Sequence, residues 1–343
     1  MGGRSSEREI SLESGRHIVQ TLDRQRYLPV ALFMDGQARL WEIGLPLLVQ
    51  NTTRDIEDRL AADATRVPYE ELAARVDIVY IGLHGKYGED GCLQGLLELL
   101  DVPYVGSGVL GSALGMDKAV QRRVLRQAGI DVPATRAVTA AEWAREREAA
   151  VASLAEDPGL PCVVKPAREG CSTALAVPRD ATALIAAIDD ALRWDATVLV
   201  EELIEGTEVT VVVLEDDDGT PRAFPPTETP PTGDFLTIEE KFLPGHGENI
   251  TPARLPADVL ASVRDVAERT FAALQLRIFA RIDMYVTGDG RILVGEPNTL
   301  PGSSPSSTVF LGPIEEGIGP MDLLTRVVER SLAAHGAKKG PLA

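Results

Sequence analysis

Four side chains near the end of the sequence have the types and spacing that could hold a metal ion: Arg281, Asp283, Glu296 and Asn298. Two carboxylates that lie close together repel each other unless a cation lies between them. Hard carboxylate oxygens joined by an amide carbonyl suit Mg²⁺ that is also bound by substrate phosphates. The set therefore predicts a Mg²⁺ site. The alternative is a surface hairpin whose Arg–Asp and Glu–Asn pairs are merely solvated.

A predicted hairpin would place these four side chains on one face. The alternating segment 278–286 and the returning segment 292–294 flank Asp289-Gly290, a two-residue turn signal. In the register that this turn sets, the aspartate faces the glutamate and the arginine faces the asparagine, with opposed Cβ atoms roughly 5 Å apart. The opposite face is predicted to be core and consists of Ile282, Met284, Val286 and Leu293.

Composition and charge restrict the class of protein. The chain has 343 residues, of which 44% are apolar and 25% charged, as is typical of a globular enzyme with two or three lobes. Its net charge of −18 argues against a nucleic-acid-binding surface, which needs a basic stripe. Three cysteines at no metal-like spacing, and the absence of an export or membrane segment, favour a reducing cytoplasm.

Strand-like and helical segments alternate along most of the chain, which predicts α/β or α+β lobes. We place the lobes at 1–110, 111–205 and 206–343. In the first lobe, the apolar run 76–83 is typical of a fully buried parallel strand. In the third, the segment 223–253 is rich in Pro, Gly, Thr and charge, and we interpret it as a long loop over a site.

The start of the sequence is unusual for a lobe of this kind. The segment Gly2-Gly3-Arg4-Ser5-Ser6-Glu7 is typical of the turn after a first β-strand, but no strand precedes it. Either the start codon is misassigned, or the lobe lacks a strand that it would normally have. The sequence leaves both explanations open.

Lysines and carboxylates upstream of the hairpin suggest a nucleotide site. Lys165 closes an apolar strand before a small-residue loop, and a buried lysine of this kind needs an anion such as a phosphate. Lys118 begins a helix, Lys241 lies in the long loop, and either could instead be a solvated surface lysine. The segment 197–208 is predicted to be a buried strand running into carboxylates that could bind adenine and ribose, or into a charge cluster at a helix start.

The sequence lacks both the Walker loop and the strand-linked glycine fingerprint of dinucleotide-binding proteins, so ATP would need another scaffold. Seven motifs in one order resemble the D-alanine–D-alanine ligases of the ATP-grasp superfamily, over nearly the whole chain. These motifs are Gly2-Gly3-Arg4-Ser5-Ser6-Glu7, His84-Gly85-Lys86-Tyr87-Gly88-Glu89-Asp90-Gly91, Met116-Asp117-Lys118, Val164-Lys165-Pro166, Glu201 with Glu208, Arg281-Ile282-Asp283, and Glu296-Pro297-Asn298-Thr299-Leu300-Pro301-Gly302.

The resemblance implies an ATP-grasp fold, with a parallel-sheet lobe for substrate followed by a small central and a C-terminal grasp lobe. It implies ATP and two Mg²⁺ ions, with Mn²⁺ as an alternative, D-amino acids as substrates, and a homodimer. For the nucleotide and metal it implies three groups of residues: Lys118, Lys165 and Lys241 with Ser172 on the phosphates; Glu201, Glu202, Leu203 and Glu208 on the adenine and ribose; and Asp283, Glu296 and Asn298 on Mg²⁺.

For the substrates and the reaction, the resemblance also implies residue roles. Glu7 would bind the ammonium of the first D-amino acid, beside His84. Arg281 and the Gly302 amide would stabilise the oxyanion, and Ser307 would receive the carboxylate of the second substrate. The first carboxylate would attack the γ-phosphate to give an acyl phosphate, which a second amine or hydroxyl would then attack.

Three positions depart from the family pattern. Cys171 stands in the catalytic loop where serine is usual, Phe242 replaces a common tyrosine, and Thr308 replaces a commonly apolar residue beside the second substrate. The first two weaken a hydrogen-bonded latch that would close the pocket. Three functions therefore remain: synthesis of D-alanyl-D-alanine for peptidoglycan precursors, the same chemistry with D-lactate or another D-amino acid, and ATP binding without turnover.

Overall fold

Three separate antiparallel sheets organise the chain in a computed structural model that describes residues 1–170, 173–230 and 248–338. The strands are β1 (Leu32–Met34), β2 (Leu40–Ile43), β3 (Ala64–Val67), β4 (Thr135–Thr139), β5 (Cys162–Pro166), β6 (Thr197–Glu202), β7 (Gly206–Glu215), β8 (Pro221–Ala223), β9 (Thr227–Glu228), β10 (Phe279–Thr287) and β11 (Ile292–Asn298). The helices are α1 (Arg8–Thr21), α2 (Leu45–Leu48), α3 (Thr53–Glu57), α4 (Leu60–Asp63), α5 (Leu72–Arg75), α6 (Cys92–Leu99), α7 (Val109–Met116), α8 (Lys118–Gln127), α9 (Ala140–Leu154), α10 (Ala181–Ala191), α11 (Ala257–Ala273), α12 (Leu311–Glu315) and α13 (Pro320–Lys338).

The first sheet differs from the parallel sheet expected for this lobe. Its order is β1-β2-β3 with antiparallel pairing, and parallel pairing is confined to the single bridges Gly2 to Met34 and Val79 to Tyr104. The predicted strand 76–83 is thus reduced to one bridge, and its first half is only half-buried. This segment and β1 line one cavity of about 570 Å³, so a gap rather than a hydrogen-bonded ladder lies between them.

The central sheet has the order β4-β6-β5, with β6 in the middle. Val198, Leu199 and Val200 are fully buried, because a central strand covered on both faces has no polar side. The helices α9 and α10 cover the sheet, and each begins at a residue whose side chain accepts a backbone N–H, Thr139 and Asp180 respectively. The strand β5 therefore presents Lys165 near its end from a rigid base.

The third sheet has the order β11-β10-β7-β8, and β9 also pairs with β7. Alternate residues of β7 and β10 form one core with the helix α11, which begins directly after Pro256. The strand β11 lies at the edge of the sheet. This position suits Pro297, which lacks an N–H to donate to a second neighbouring strand.

The hairpin of β10 and β11 corrects the predicted turn. Its loop is the three residues 288–290, in which Gly290 has φ +89°, so the ladder next to the turn is shifted by one residue from the predicted register. Met284 consequently faces Val294, whereas the predicted register would place Gly295 opposite it. Val294 rather than the predicted Leu293 therefore joins the core on this face. A bulge at Gly295 shifts the ladder back by one residue, so the strand pairing predicted farther along the hairpin is recovered.

The C-terminal helix α13 returns to the first lobe. Leu323, Leu324 and Val327 share one core with Ile18 of α1 and with Leu22, which directly follows α1. None of the helices described here is long and apolar enough to cross a membrane.

Candidate active site

One pocket lies where the first lobe meets the third sheet. Its walls come from the start of α1, from the segment after residue 83, from the end of α7, and from the face of the hairpin. The predicted residues that line it are Glu7, His84, Arg281, Asp283, Glu296, Asn298 and Gly302. Residues that the sequence places up to almost 300 positions apart are thus brought together.

The hairpin face has the pairing predicted from the sequence. Asp283 is directly opposite Glu296, and Arg281 is opposite Asn298. Arg281 donates two hydrogen bonds to Asp283, from Nε to Oδ1 and from Nη2 to Oδ2, both at 2.9 Å. Thr210 of β7 donates to the same carboxylate at 2.9 Å. The bidentate pair fixes the plane of the guanidinium at the pocket wall.

The second carboxylate of this face is held by Lys118. The Lys118 ammonium lies 2.8 Å from Glu296 and donates at 2.7 Å to the backbone oxygen of Glu169, and the lysine is only 3% exposed. Asp117 caps the N-terminus of α8, so the helix directs this lysine toward Glu296 at the pocket wall. The two hairpin carboxylates are therefore each balanced by a cation from the protein.

The donor set of this face fits Mg²⁺ in part. Two carboxylates and an amide are hard ligands of the right kind, and Mg²⁺ usually takes few protein ligands and shares the rest with phosphates and water. The described residues contain no group of three His, Cys, Asp or Glu side chains that could hold a metal by themselves. The residues thus fit a metal that arrives with a phosphate ligand rather than a closed protein site.

A second cluster of charges lies behind the pocket on the central sheet. Glu201 is 2% exposed and contacts Arg122 Nε at 2.8 Å and Lys165 Nζ at 2.6 Å. Burial alone would raise the pKa of Glu201, but these two cations hold it far below its usual value. Burial lowers the pKa of Lys165, which Glu201 partly opposes. The triad keeps Lys165 fixed at the end of β5.

Arg122 was not predicted from the sequence. It is 1% exposed and also donates to the Gly295 carbonyl at 2.6 Å, so it connects the bulge of the hairpin to the central sheet. Its position four residues after Lys118 on α8 places both cations on the helix face that carries the buried residues Gln121 and Leu125. That spacing was the available signal.

The predicted adenine and ribose residues lie at the junction of the central and third sheets. Glu202 and Leu203 line a cleft together with the hairpin loop at 287–291. Glu208 lies on β7 opposite Tyr285. Glu202 accepts a hydrogen bond from the Ala134 amide at 2.8 Å. Contact of these residues, and of Glu201, with a nucleotide stays a prediction.

The wall from the first lobe carries Glu7 and His84. Glu7 precedes α1 and is 8% exposed. His84 Nε2 lies 2.8 Å from Ser14 Oγ, which accepts the Ser303 amide at 3.0 Å. Burial lowers the pKa of His84 to about 4, and the charge of Arg281 adds to this, so the ring is neutral at neutral pH. Ser14 was missed because its partners are far away in the sequence.

Glu89 is a further carboxylate that was not singled out from the sequence. It lines the pocket and accepts the Gly85 amide at 2.8 Å and the Leu300 amide at 3.1 Å. Burial and the nearby Glu7 raise its pKa to about 8. Glu89 therefore joins the segment after His84 to the segment that leads to Gly302.

The predicted residues for the second substrate follow the hairpin. Gly302 lines the pocket, and Ser307 donates its hydroxyl hydrogen to the Gly302 carbonyl, which closes a tight loop. Thr308 begins a short 3₁₀ helix and is half-buried. The predictions for Cys171, Ser172, Lys241 and Phe242 lie outside the described residues.

The central and third sheets border a common cleft, with Lys165 on the central sheet, Lys118 on α8, and Asp283 and Glu296 on the third sheet. This arrangement is typical of the ATP-grasp class of nucleotide-binding enzymes. Comparison with known proteins supports this class. Residues 1–107 match the family model "D-ala D-ala ligase N-terminus", and residues 124–329 match "D-ala D-ala ligase C-terminus". The chain belongs to the D-alanine–D-alanine ligase family, whose members are ATP-dependent ligases, and it has the family's ATP-grasp fold.

Individual relatives agree with this assignment. D-alanine–D-alanine ligase A of Mesorhizobium japonicum is 36% identical over 98% of this chain and 97% of its own length. The Bacillus anthracis D-alanine–D-alanine ligase complexed with ATP superimposes with a TM-score of 0.75 at 28% identity, over 99% of this chain and 98% of that one. The VanG D-Ala:D-Ser ligase of Enterococcus faecalis gives a TM-score of 0.82 at 26% identity, over 96% and 97% of the two chains.

Proposed function

We propose that this pocket joins two molecules of D-alanine with hydrolysis of ATP to ADP and phosphate, for peptidoglycan precursors. The observation that carries the proposal is the convergence of Glu7 from the first lobe with Arg281 and Asp283 from the third sheet in one pocket. A carboxylate is suited to bind an ammonium group, and an arginine to bind a developing oxyanion. The family assignment makes D-alanine the expected source of both the ammonium group and the oxyanion.

In this proposal, Asp283, Glu296 and Asn298 would hold two Mg²⁺ ions together with the phosphates of ATP. When bound, the metal neutralises phosphate charge. Lys118, which contacts Glu296 at 2.8 Å, can exchange this carboxylate for a phosphate oxygen as the nucleotide enters. Lys165 is held by Glu201 at the end of β5 and provides a second cation on the phosphate side.

The remaining residues orient the two D-alanines. Glu7 binds the ammonium of the first D-alanine, beside the neutral His84. The carboxylate of that D-alanine attacks the γ-phosphate and displaces ADP, which gives an acyl phosphate. Arg281, oriented by Asp283, and the Gly302 amide stabilise the oxyanion when the amine of the second D-alanine attacks. Ser307 and Thr308 lie beside the site of the second carboxylate. We also propose that the first and second lobes end at residues 110 and 205, that the protein forms a homodimer, and that it is located in the cytoplasm.

The test is ADP release from Mg²⁺-ATP with D-alanine as the sole amino acid, with the product identified by mass. We expect D-alanine-dependent release of ADP and formation of the dipeptide. Asp283→Asn should abolish it, whereas Asp265→Asn, an exposed carboxylate on α11, is the matched control. ATP binding without D-alanine-dependent ADP release would contradict the proposal.

A second candidate differs only in the second substrate. The structural similarity to a D-Ala:D-Ser ligase, together with Phe242 and the polar Thr308 in the sequence, favours it over a change of chemistry. It predicts that D-alanine alone gives little product and that added D-serine or D-lactate restores ADP release. A mixed dipeptide or depsipeptide as the main product would establish it.

A further inference from the structure

An ion pair joins the central lobe to the first lobe at the edge of the pocket. Glu169, in the segment after β5, pairs with the Lys86 ammonium and accepts the Ser6 hydroxyl at 3.2 Å. Its side chain is only 7% exposed, whereas that of Lys86 is 34% exposed. A carboxylate this deeply buried needs its cation, because an unpaired buried charge is costly.

The segment that carries Glu169 is fixed to its own lobe on both sides. Arg168 makes a bidentate pair with Asp195, at 3.0 and 2.7 Å, and the Asp195 side chain is 1% exposed. Lys118 donates to the Glu169 carbonyl at 2.7 Å. Lys86 makes a second contact with the central lobe, at 3.1 Å to the Trp194 carbonyl. A movement of Lys86 relative to Glu169 is therefore a movement of one lobe relative to the other.

The ion pair between Lys86 and Glu169 also keeps the backbone at Gly170 close to Glu7. Gly170 directly follows Glu169, and a Cβ at this position would overlap the Glu7 carboxylate. Glu7 and His84 are in the same pocket, and Lys86 lies two residues after His84. The ion pair thus holds Gly170, which we call the roof of the pocket, against the Glu7 carboxylate. That carboxylate is proposed to bind the ammonium of the first D-alanine.

We propose that Lys86 and Glu169, with Ser6, form an interlobe latch that positions Gly170 over Glu7 and closes the pocket for the first substrate. This inference rests on the proposed function for its kinetic readout. Lys86 and Glu169 are positioning residues, because they act through Gly170 and Glu7. A closed roof excludes water from the acyl phosphate, so that the second amine rather than water attacks it.

The kinetic test compares Lys86→Met, Glu169→Gln and the charge reversal Lys86→Glu with Glu169→Lys. We expect each single variant to raise the KM for the first D-alanine about tenfold, as for a lost charge-assisted contact, while the affinity for ATP changes less than about twofold. The phosphate released per dipeptide formed should rise above the wild-type ratio. The charge reversal should restore both quantities to within about threefold, since the Coulomb attraction is regained.

Arg26→Met, which breaks an exposed pair with Glu329 on α13, is the matched control and should change neither quantity. An unchanged KM and an unchanged ratio of phosphate to dipeptide in both single variants would overturn the latch. So would a loss of kcat and of melting temperature without a change in KM or ratio, because that is the behaviour of a purely structural pair.

A second readout separates failure of the latch from failure of the proposed function. Hydrogen exchange of the backbone amides at 84–91 and 167–170 does not depend on turnover. If the wild type releases no ADP with any amino acid, the proposed function fails. Faster exchange in both segments of Lys86→Met would still support the latch, and exchange equal to that of the wild type would overturn it.

Discussion

Two clusters of paired charges each include a cation from α8, and they differ in how easily a ligand could replace one partner. The inner cluster consists of Arg122, Glu201 and Lys165, and the first two are nearly inaccessible to water. The outer cluster consists of Lys118 with Glu296 and Arg281 with Asp283, and all of these except Lys118 line the pocket. The side chain of Glu296 is 34% exposed, whereas that of Glu201 is 3% exposed.

The difference shows how one helix, α8, can contribute one cation to stability and another to ligand binding. In the inner cluster, every charge has its partner within the protein, and exchange for a ligand would leave a buried charge uncompensated. In the outer cluster, Glu296 can turn toward a metal because a third of its side chain reaches water. Lys118, whose side chain is only 4% exposed, then needs a phosphate oxygen in place of that carboxylate. We infer that the inner cluster fixes Lys165 and that the outer cluster exchanges partners.

The largest effect is expected from breaking the inner cluster. Arg122→Met removes one of the two cations on Glu201 and the donor to the Gly295 carbonyl. The free energy of unfolding should fall by about 3–5 kcal/mol, the usual cost of opening a buried ion pair. Urea unfolding measures this.

Arg123→Met is the matched control for this change, because Arg123 is the next residue on α8 but is exposed. It should change the free energy of unfolding by no more than about 0.5 kcal/mol. Equal effects of the two substitutions would show that the buried ion pairs of the inner cluster stabilise the protein no more than an exposed arginine does.

The outer cluster should respond mainly in activity. Arg281→Met leaves Asp283 with hydrogen bonds from Thr210 and Asn298, so the free energy of unfolding should fall by only about 1–2 kcal/mol. The value of kcat for dipeptide formation should fall by about 10²–10³, as for a lost oxyanion donor. Steady-state kinetics with saturating ATP measures this, with Arg269→Met on α11 as the exposed control.

If Arg281→Met lost stability as strongly as Arg122→Met but kept its kcat, the roles assigned to the two clusters would be reversed. A fall in both quantities would show instead that the outer cluster is as structural as the inner one. The comparison therefore requires both measurements on both variants.

The sequence predicted the outer cluster better than the inner one. The pairing of Asp283 with Glu296 follows from local alternation and a turn, although the predicted turn was one residue too short and a bulge at Gly295 restored the register. Lys165 at the end of a strand and Asp117 at the start of a helix are also local signals. Local sequence patterns were sufficient to predict a functional residue wherever a single strand, hairpin or helix determines its position.

The partners of those residues could not be read from the sequence in the same way. Arg122 is buried only because α8 packs against both the central sheet and the bulge of the hairpin. Ser14 contacts His84 and Ser303, which are 70 and 289 residues away. The parallel strand expected at 76–83 failed for a similar reason, since an apolar run does not show whether a neighbouring strand is present. Tertiary packing decides each of these cases.

A smaller effect tests how far the charge of the outer cluster extends into the first lobe. His84 is 5% exposed, and burial together with Arg281 lowers its pKa to about 4. The unfolded chain binds a proton on this histidine below about pH 6.5, whereas the folded protein does so only near pH 4, so stability contributed by the neutral ring is lost as the pH falls between these values. From pH 7 to 5 the loss should be about 1–2 kcal/mol. His84→Gln should remove this part of the pH dependence, and unfolding of both proteins at the two pH values measures it, because groups common to both cancel in the difference.

In Arg281→Met, the NMR titration of His84 should move to higher pH. A titration that stays in place would confine the charge of Arg281 to its pair with Asp283 and would separate the outer cluster from the wall that carries His84.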